Sequence, residues 1–135
     1  MAFTYPIELR WRDLDAFNHV NNSNYLTFLE EARIRWFATL REPWLTDEFA
    51  PVIASALVNY KFPIEYPANV HVELFTAALG TSSVTIGHRI VGDDGRLYCD
   101  GQVVAVWISR KTGKPITLPE GVRHASEMLM EPAAS

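Results

Sequence analysis

The sequence predicts an α+β domain in which one antiparallel sheet wraps around one long helix. Two observations favour this class. A short strand pattern is followed by a long apolar helical segment, and about four β-rich segments then follow one another. Segregation of the helix from the strands is typical of an antiparallel sheet rather than of alternating βαβ units. With 135 residues, the chain is predicted to form one domain over residues 1–135.

The first strand is predicted over residues 7–12, where apolar and polar residues alternate. The helix is predicted from about residue 23 to residue 40, with Ser23 or Asn24 as its N-cap. Pro43 disfavours helical geometry at the residue before it, so it ends this segment. The buried stripe of the helix recurs at spacings of four, three and four, at Tyr25, Leu29, Ala32 and Trp36.

Four further strands are predicted where apolar and β-branched residues are bounded by turn residues, over residues 52–62, 70–79, 84–91 and 97–109. Asp93-Asp94-Gly95 is a hairpin signal between the last two strands. Residues 103–108 are apolar on both faces of their strand. A strand buried on both sides needs a second cover for the sheet, so we expect a homodimer or a dimer of dimers.

Composition indicates which binding partners and which cellular compartment to expect. Hydrophobic residues make up 48% of the chain, charged residues 21%, and the formal net charge is −4. This profile is typical of an ordinary globular protein and argues against nucleic acid as the main partner. Cys99 is the single cysteine, which excludes an internal disulfide and favours the reducing cytoplasm. No signal peptide or membrane partner is expected, and residues from about 128 to 135 are expected to fray.

Polar residues crowd the junction between the first strand and the helix. Within residues 10–25 there are two carboxylates, one imidazole and four asparagines. A strand-to-helix connection normally needs one capping residue and one turn residue. The surplus predicts a functional site at the helix N-terminus, where unpaired N–H groups and the positive end of the helix dipole are available.

This junction resembles the pattern D-x-x-G-H-V-N-N-x-x-Y of the hotdog-fold acyl-CoA thioesterases, in the group similar to 4-hydroxybenzoyl-CoA thioesterase. The matching residues are Asp15, His19, Val20, Asn21, Asn22 and Tyr25. Asn18 stands where the family usually has glycine, and asparagine tolerates left-handed backbone geometry. Weaker similarities lie at Tyr60, Ser82-Ser83, Asp94-Gly95 and residues 112–115.

The resemblance implies a five-stranded antiparallel sheet around a central helix, and dimers with active sites at the subunit interface. It also implies coenzyme A thioesters as substrates, with no metal and no cofactor. Asp15 would act as nucleophile or general base, and His19 would orient Asp15 or the substrate, or donate to the carbonyl oxygen. A backbone N–H near Asn21, Asn22 or Ser23 would polarise that oxygen. Substrate-binding roles fall to Tyr25, Tyr60, Ser82 and Ser83.

Other interpretations stay open at this stage. Asp15 is also a plausible Asx-turn residue, His19 a structural side chain, and Asn21 and Asn22 turn formers. The coenzyme A phosphates have several candidate cations, namely Arg89, Arg110, Lys111 and Lys114. Two other functions compete with thioester hydrolysis. One is a hotdog hydratase or dehydratase acting on 3-hydroxyacyl thioesters, and the other is a non-catalytic binder of acyl thioesters.

Overall fold

The computed structural model describes residues 2–10 and 13–130 of the chain. This part of the chain contains five strands and two helices. One helix follows the first strand, and the other follows the last strand. The elements are β1 (Phe3–Ile7), α1 (Asn22–Phe37), β2 (Phe49–Tyr60), β3 (Val70–Leu79), β4 (Ser83–Gly92), β5 (Leu97–Ser109) and α2 (Glu120–Met128). No helix in the described ranges is long and apolar enough to cross a membrane.

The five strands form one antiparallel sheet in the order β1-β3-β4-β5-β2, which confirms the predicted sheet. The predicted bounds of β3 and β5 are those observed. The prediction for β1 was wrong: the strand covers Phe3–Ile7, not residues 7–12. Its pairing with β3 runs from Phe3 opposite Leu74 to Ile7 opposite Val70, so pairing rather than alternation sets its position.

The helices and the inner face of the sheet share one hydrophobic core. Trp107 of β5 is fully buried there, and its indole N–H donates to the Trp44 carbonyl at 2.8 Å. The indole therefore satisfies its polar atom while burying its rings. Helix α1 contributes seven buried side chains, namely Tyr25, Phe28, Leu29, Ala32, Arg33, Trp36 and Phe37.

Helix α1 begins two residues earlier than the predicted N-cap allows. Asn21 is the N-cap, not Ser23 or Asn24, and its side chain accepts a hydrogen bond from the Ser23 N–H at 3.0 Å. The helix ends at Phe37 rather than near residue 40. An i,i+4 ion pair lies on its exposed side, with Arg35 Nε 3.0 Å from Glu31 Oε1.

The chain has a second helix, α2, where the sequence predicted only one. It is nine residues long and buries Val122 and Ser126. After it, the Leu129 carbonyl accepts the Thr76 N–H at 3.0 Å, so the chain packs on β3 beyond residue 128, where fraying was expected. The remainder of the expected frayed tail, residues 131–135, lies outside the described residues.

Four buried side chains carry polar atoms without a hydrogen-bond partner among the described residues; we call Arg33, Thr76, His88 and Ser126 the buried polar set. His88 of β4 is 1% exposed, and burial lowers the pKa of its imidazole to about 4. The nearby Arg33 charge acts in the same direction. Gly101 lies opposite His88 with a φ of 141°, and a side chain there would collide with the Leu57 carbonyl oxygen.

Candidate active site

The segment before helix α1 folds back on itself in a narrow loop. Leu14 and Val20 form an antiparallel bridge, and the Asp15 N–H donates to the His19 carbonyl at 2.7 Å. Asn18 closes the turn with a φ of 62°, the left-handed conformation that asparagine tolerates. The loop therefore survives the replacement of the family glycine by Asn18.

The Asp15 carboxylate is held by its own loop. One oxygen, Oδ1, accepts the N–H of Phe17 at 2.8 Å and that of His19 at 3.2 Å. The other oxygen, Oδ2, accepts no hydrogen bond from the described residues. Asp15 is thus an Asx-turn residue, as one interpretation held, and only one of its two oxygens is engaged by the described residues.

A second segment, residues 63–66, supports the loop from outside. The Val20 N–H donates to the Ile64 carbonyl at 2.8 Å, and His19 forms an antiparallel bridge with Glu65. The His19 Nε2 lies 3.4 Å from Glu65 Oε1. The Asn18 side chain also donates to the Tyr66 carbonyl at 3.4 Å.

The start of helix α1 separates the two asparagines by role. The Asn21 backbone N–H donates to the Asp13 carbonyl at 2.9 Å, and the Asn21 side chain caps the helix. Asn22 is the first helical residue, and its N–H has no acceptor among the described residues. Because the first N–H groups of a helix lack intrahelical partners, this donor is available to a ligand.

Asp13 has a structural position rather than a place in the cavity. It is buried, and its carboxylate accepts the Arg10 backbone N–H at 2.9 Å and pairs with the Arg10 guanidinium at 3.0 Å. The Asp13 carboxylate is therefore paired with Arg10 and is not among the residues that line the cavity.

These elements surround a cavity of about 220 Å³, lined by Asp15, His19, Val20, Asn22, Tyr25, Tyr60, Lys61, Phe62 and Pro63. The Tyr60 hydroxyl donates to the Asn22 carbonyl at 3.3 Å, and the Tyr25 and Tyr60 rings meet edge to face at 4.9 Å. Five predicted site residues therefore line one cavity. Lys61 and Pro63 were not predicted, since only the position of β2 places them beside the helix.

Tyr25 forms the buried floor of this cavity. Its ring is 2% exposed, and burial raises the pKa of its hydroxyl above 10.0, while a hydrogen bond with the Ile64 backbone acts in the opposite direction. A hydroxyl that stays protonated near neutral pH is a donor and not a base.

The structure places Ser82 and Ser83 away from this cavity. Ser83 is opposite Val106 on β5, whereas Tyr60 is opposite Cys99, seven residues along the same strand. That separation is roughly 23 Å at the rise of a β-strand. Within one chain, these serines are therefore not neighbours of Asp15.

Two of the four candidate phosphate contacts have acidic or carbonyl partners within the chain. Arg89 pairs with Glu73 at 2.9 Å on the sheet, and Arg110 donates to the Thr46 carbonyl at 3.1 Å.

Among the described residues, no group of three or more His, Cys, Asp or Glu side chains is arranged to hold a metal ion. Cys99 is buried, and burial raises the pKa of its thiol to about 12, which leaves it a poor nucleophile.

Comparison with known proteins places this geometry in a family. The chain matches the model of the thioesterase-like superfamily over residues 9–126. A putative acyl-CoA thioesterase from Xanthomonas campestris is 46% identical, with a TM-score of 0.76 over 87% of this chain and 99% of that one. A Thermus thermophilus thioesterase, solved with coenzyme A and Zn, is 35% identical, with a TM-score of 0.80 over 96% and 95% of the two chains.

A curated relative extends the comparison. The long-chain acyl-CoA thioesterase FadM of Escherichia coli is 28% identical over 130 residues, which cover 93% of this chain and 97% of that protein. The predicted enzyme class, a thioester hydrolase, is confirmed together with the family. A five-stranded antiparallel sheet, a polar loop at a helix start and the match over residues 9–126 show that the chain belongs to the thioesterase-like superfamily.

Proposed function

We propose that the protein hydrolyses acyl-CoA thioesters to the free acid and coenzyme A, with Asp15 as nucleophile or general base. One observation supports this most directly. The same cavity is lined by Asp15, which has an unused carboxylate oxygen, and by Asn22, which has an unused backbone N–H. Thioester hydrolysis needs this pair, an acceptor for the attacking group and a donor for the carbonyl oxygen.

The substrate class is supported by the relatives. Their names specify acyl-CoA thioesters, and the Thermus thermophilus structure contains coenzyme A. Phe62 and Tyr60 give the cavity an apolar side, and Lys61 contributes a cation to its lining. An acyl thioester that carries phosphates on its other end fits both features.

Two chemical routes balance with these groups. As a base, Asp15 takes a proton from water, the hydroxide attacks the thioester carbonyl, and the C–S bond breaks to release the coenzyme A thiolate. As a nucleophile, the carboxylate attacks the carbonyl itself, and the C–S bond breaks to release the coenzyme A thiolate and leave an anhydride. Water then cleaves the anhydride to the free acid and the Asp15 carboxylate. In both routes the Asn22 N–H stabilises the negative carbonyl oxygen, helped by the helix dipole.

We also propose that the enzyme is a homo-oligomer of one-domain chains, assembled through β2. This edge strand is twelve residues long and leaves Val52, Ile53 and Leu57 42%, 45% and 53% exposed. An unpaired apolar edge of this length is a surface for another strand. Antiparallel pairing of two β2 strands would bring the partner's Ser82–Ser83 turn towards this chain's Tyr60, which suits the substrate-binding role predicted for the serines.

The test is thiol release from a panel of short, medium, long and aromatic acyl-CoA thioesters, with wild type and Asp15→Asn compared. Asn keeps the oxygen that accepts the Phe17 and His19 N–H groups, so folding should be preserved. We expect kcat to fall by about 10²–10⁴-fold. Asp93→Asn, an exposed change in the hairpin far along the chain, is the matched control and should hydrolyse like wild type.

Three outcomes would contradict the proposal. Undiminished hydrolysis by a folded Asp15→Asn protein would remove the role of Asp15. A loss of enoyl-thioester absorbance without thiol release would favour the hydratase. Binding of acyl-CoA without either reaction would favour the non-catalytic binder.

Assembly through β2 has a test of its own. Sedimentation of wild type as a single chain, unchanged by Ile53→Asp, would overturn it.

A further inference from the structure

We propose that Glu65 is a positioning residue of this active site, which holds the His19 imidazole in one tautomer and one orientation. This inference rests on the proposed function, because it concerns how His19 meets the substrate. Glu65 does not line the cavity, whereas His19 does. The carboxylate therefore lies behind the imidazole, in a position to act through it.

The backbone around Glu65 is fixed on both sides. Ile64 is fully buried, and its carbonyl accepts the Val20 N–H at 2.8 Å. On the other side, the Tyr66 carbonyl accepts the Asn18 side chain at 3.4 Å. The His19–Glu65 bridge between these two contacts brings the side chains together as cross-strand neighbours. The pair is thus built into the fold of the loop, unlike an ion pair between two long flexible side chains.

The contact favours one ring nitrogen as the site of the proton. Glu65 Oε1 lies 3.4 Å from His19 Nε2, an ion-pair distance between side chains that are 65% and 39% exposed. Negative charge beside one nitrogen of a neutral imidazole favours the N–H there, at Nε2, and leaves the lone pair on Nδ1. The other carboxylate near His19, Asp15, is occupied differently, since its Oδ1 accepts the His19 backbone N–H.

A fixed tautomer has a consequence for the reaction. The Nδ1 lone pair has no partner among the described residues, so it is left to accept a hydrogen bond from the attacking water. Water held by Nδ1 and by Asp15 at once has one hydrogen directed to each, and its oxygen lone pair is free for the thioester carbonyl. The rate then depends on how well His19 is oriented, and the affinity for the substrate does not.

The experiment compares Glu65→Gln and Glu65→Ala with wild type, and Glu127→Gln on the exposed side of α2 is the matched control. Gln keeps an oxygen that accepts from Nε2, and Ala removes it. We expect kcat to fall about tenfold or more in Glu65→Ala with KM unchanged, and to be largely restored in Glu65→Gln. Both variants should melt close to wild type, because the side chain is exposed.

A second readout does not depend on activity. The imidazole ¹⁵N resonances of His19, assigned by their loss in His19→Asn, report which nitrogen carries the proton. We expect the Nε2–H tautomer in wild type and Glu65→Gln, and a mixture in Glu65→Ala. An unchanged tautomer in Glu65→Ala, or an unchanged kcat in that variant, would overturn the inference. Failure of the proposed function is recognised separately, by wild type that releases no thiol from any acyl-CoA.

Discussion

The loop before helix α1 and the buried polar set treat polar groups in opposite ways. In the loop, the side chains of Asp15 and Asn21 each accept two hydrogen bonds at 2.8–3.2 Å while remaining at the surface. In the core, His88 and Arg33 are buried with polar nitrogens that have no partner among the described residues. In the loop, hydrogen bonds of the polar groups stabilise one backbone conformation. In the core, burial of unpaired polar groups costs desolvation free energy.

The difference separates two kinds of histidine. His19 is partly exposed, lies 3.4 Å from Glu65 and lines the same cavity as Asp15, as its proposed role requires. His88 is buried in the core. Burial lowers its pKa, and a nearby positive charge acts in the same direction. The two groups with the largest pKa shifts, His88 and Cys99, are not among the residues that line the candidate cavity, so a large shift does not mark that site.

After the Asp15→Asn change, the largest effect should come from removing the backbone N–H of Asn22. Pro is well tolerated at the first position of a helix, where Asn22 stands, and Asn21 already has the extended backbone, φ −61° and ψ 136°, that a residue before proline needs. Asn22→Pro should therefore keep the fold and lower kcat about 10²–10³-fold. Thiol release and a thermal melt measure the two quantities.

Asn22→Ala is the control for this change, because it removes the side-chain amide but keeps the backbone N–H. It should retain most of the wild-type kcat. Full activity in a folded Asn22→Pro protein would show that another group stabilises the carbonyl oxygen.

The next effect concerns the buried polar set and the pH dependence of stability. The unfolded chain protonates His88 near its ordinary pKa of 6.5, whereas the folded protein does so only near 4. The free energy of unfolding should therefore be full above pH 6.5, fall by about 3 kcal/mol between pH 6.5 and 4, and change no further through this group. Urea unfolding of wild type and His88→Leu at several pH values measures this difference.

His88→Leu should lose less stability than wild type over that pH range. Carboxylates such as Glu73, whose pKa is lowered by Arg89 and His71 against the opposing effect of burial, contribute equally to both proteins. If the free energy of unfolding fell equally with pH in the two proteins, this expectation would be wrong. His88 would then be protonated in the folded state as readily as in the unfolded chain.

A smaller effect tests the structural part of the loop. Asn21→Ala removes the acceptor for the Ser23 N–H and hydroxyl, at 3.0 and 2.9 Å, and should lower the free energy of unfolding by about 1 kcal/mol. Asn21→Asp keeps an acceptor and should stay within a few tenths of wild type. Chemical denaturation at neutral pH distinguishes them, and equal stability of Asn21→Ala and wild type would rule out Asn21 as the cap.

The smallest effect is an absence of reaction. Because burial holds the pKa of the Cys99 thiol at about 12, a disulfide reagent should leave the folded protein unmodified. In guanidinium the same reagent should modify the one cysteine of the chain. Rapid modification of the folded protein would mean that the core around Cys99 opens easily.

Local patterns predicted the parts of the fold that depend on neighbouring residues. The bounds of β3 and β5 were predicted because turn residues flank them on both sides. Strand β1 and the helix cap were misplaced by a few residues. A partner distant in sequence, β3, decides the position of the strand. The cap depends on hydrogen bonds that the Asp13 carbonyl accepts from the Asn21 N–H and the Asn24 side chain, which a helix pattern alone does not reveal.

The candidate site divides in the same way. Asp15, His19 and Asn22 lie within eight residues of one another, so a sequence pattern could identify them together. Glu65 and Lys61 were not identified, since nothing in the sequence states that residues 61–65 return to the loop. Ser82 and Ser83 were grouped with the site by resemblance, but the register of β4 and β5 places them at the far end of the sheet.

The sequence by itself determined the polar loop, the presence of the first helix and of five strands, and the bounds of β3 and β5, because hydrophobic period, caps and turns act over a few residues. The tertiary structure alone decided that Tyr60 reaches the Asn22 carbonyl across 38 positions of sequence, and that Glu65 meets His19. Those contacts depend on strand order and register, which are set by how the whole sheet buries its inner face against the helices.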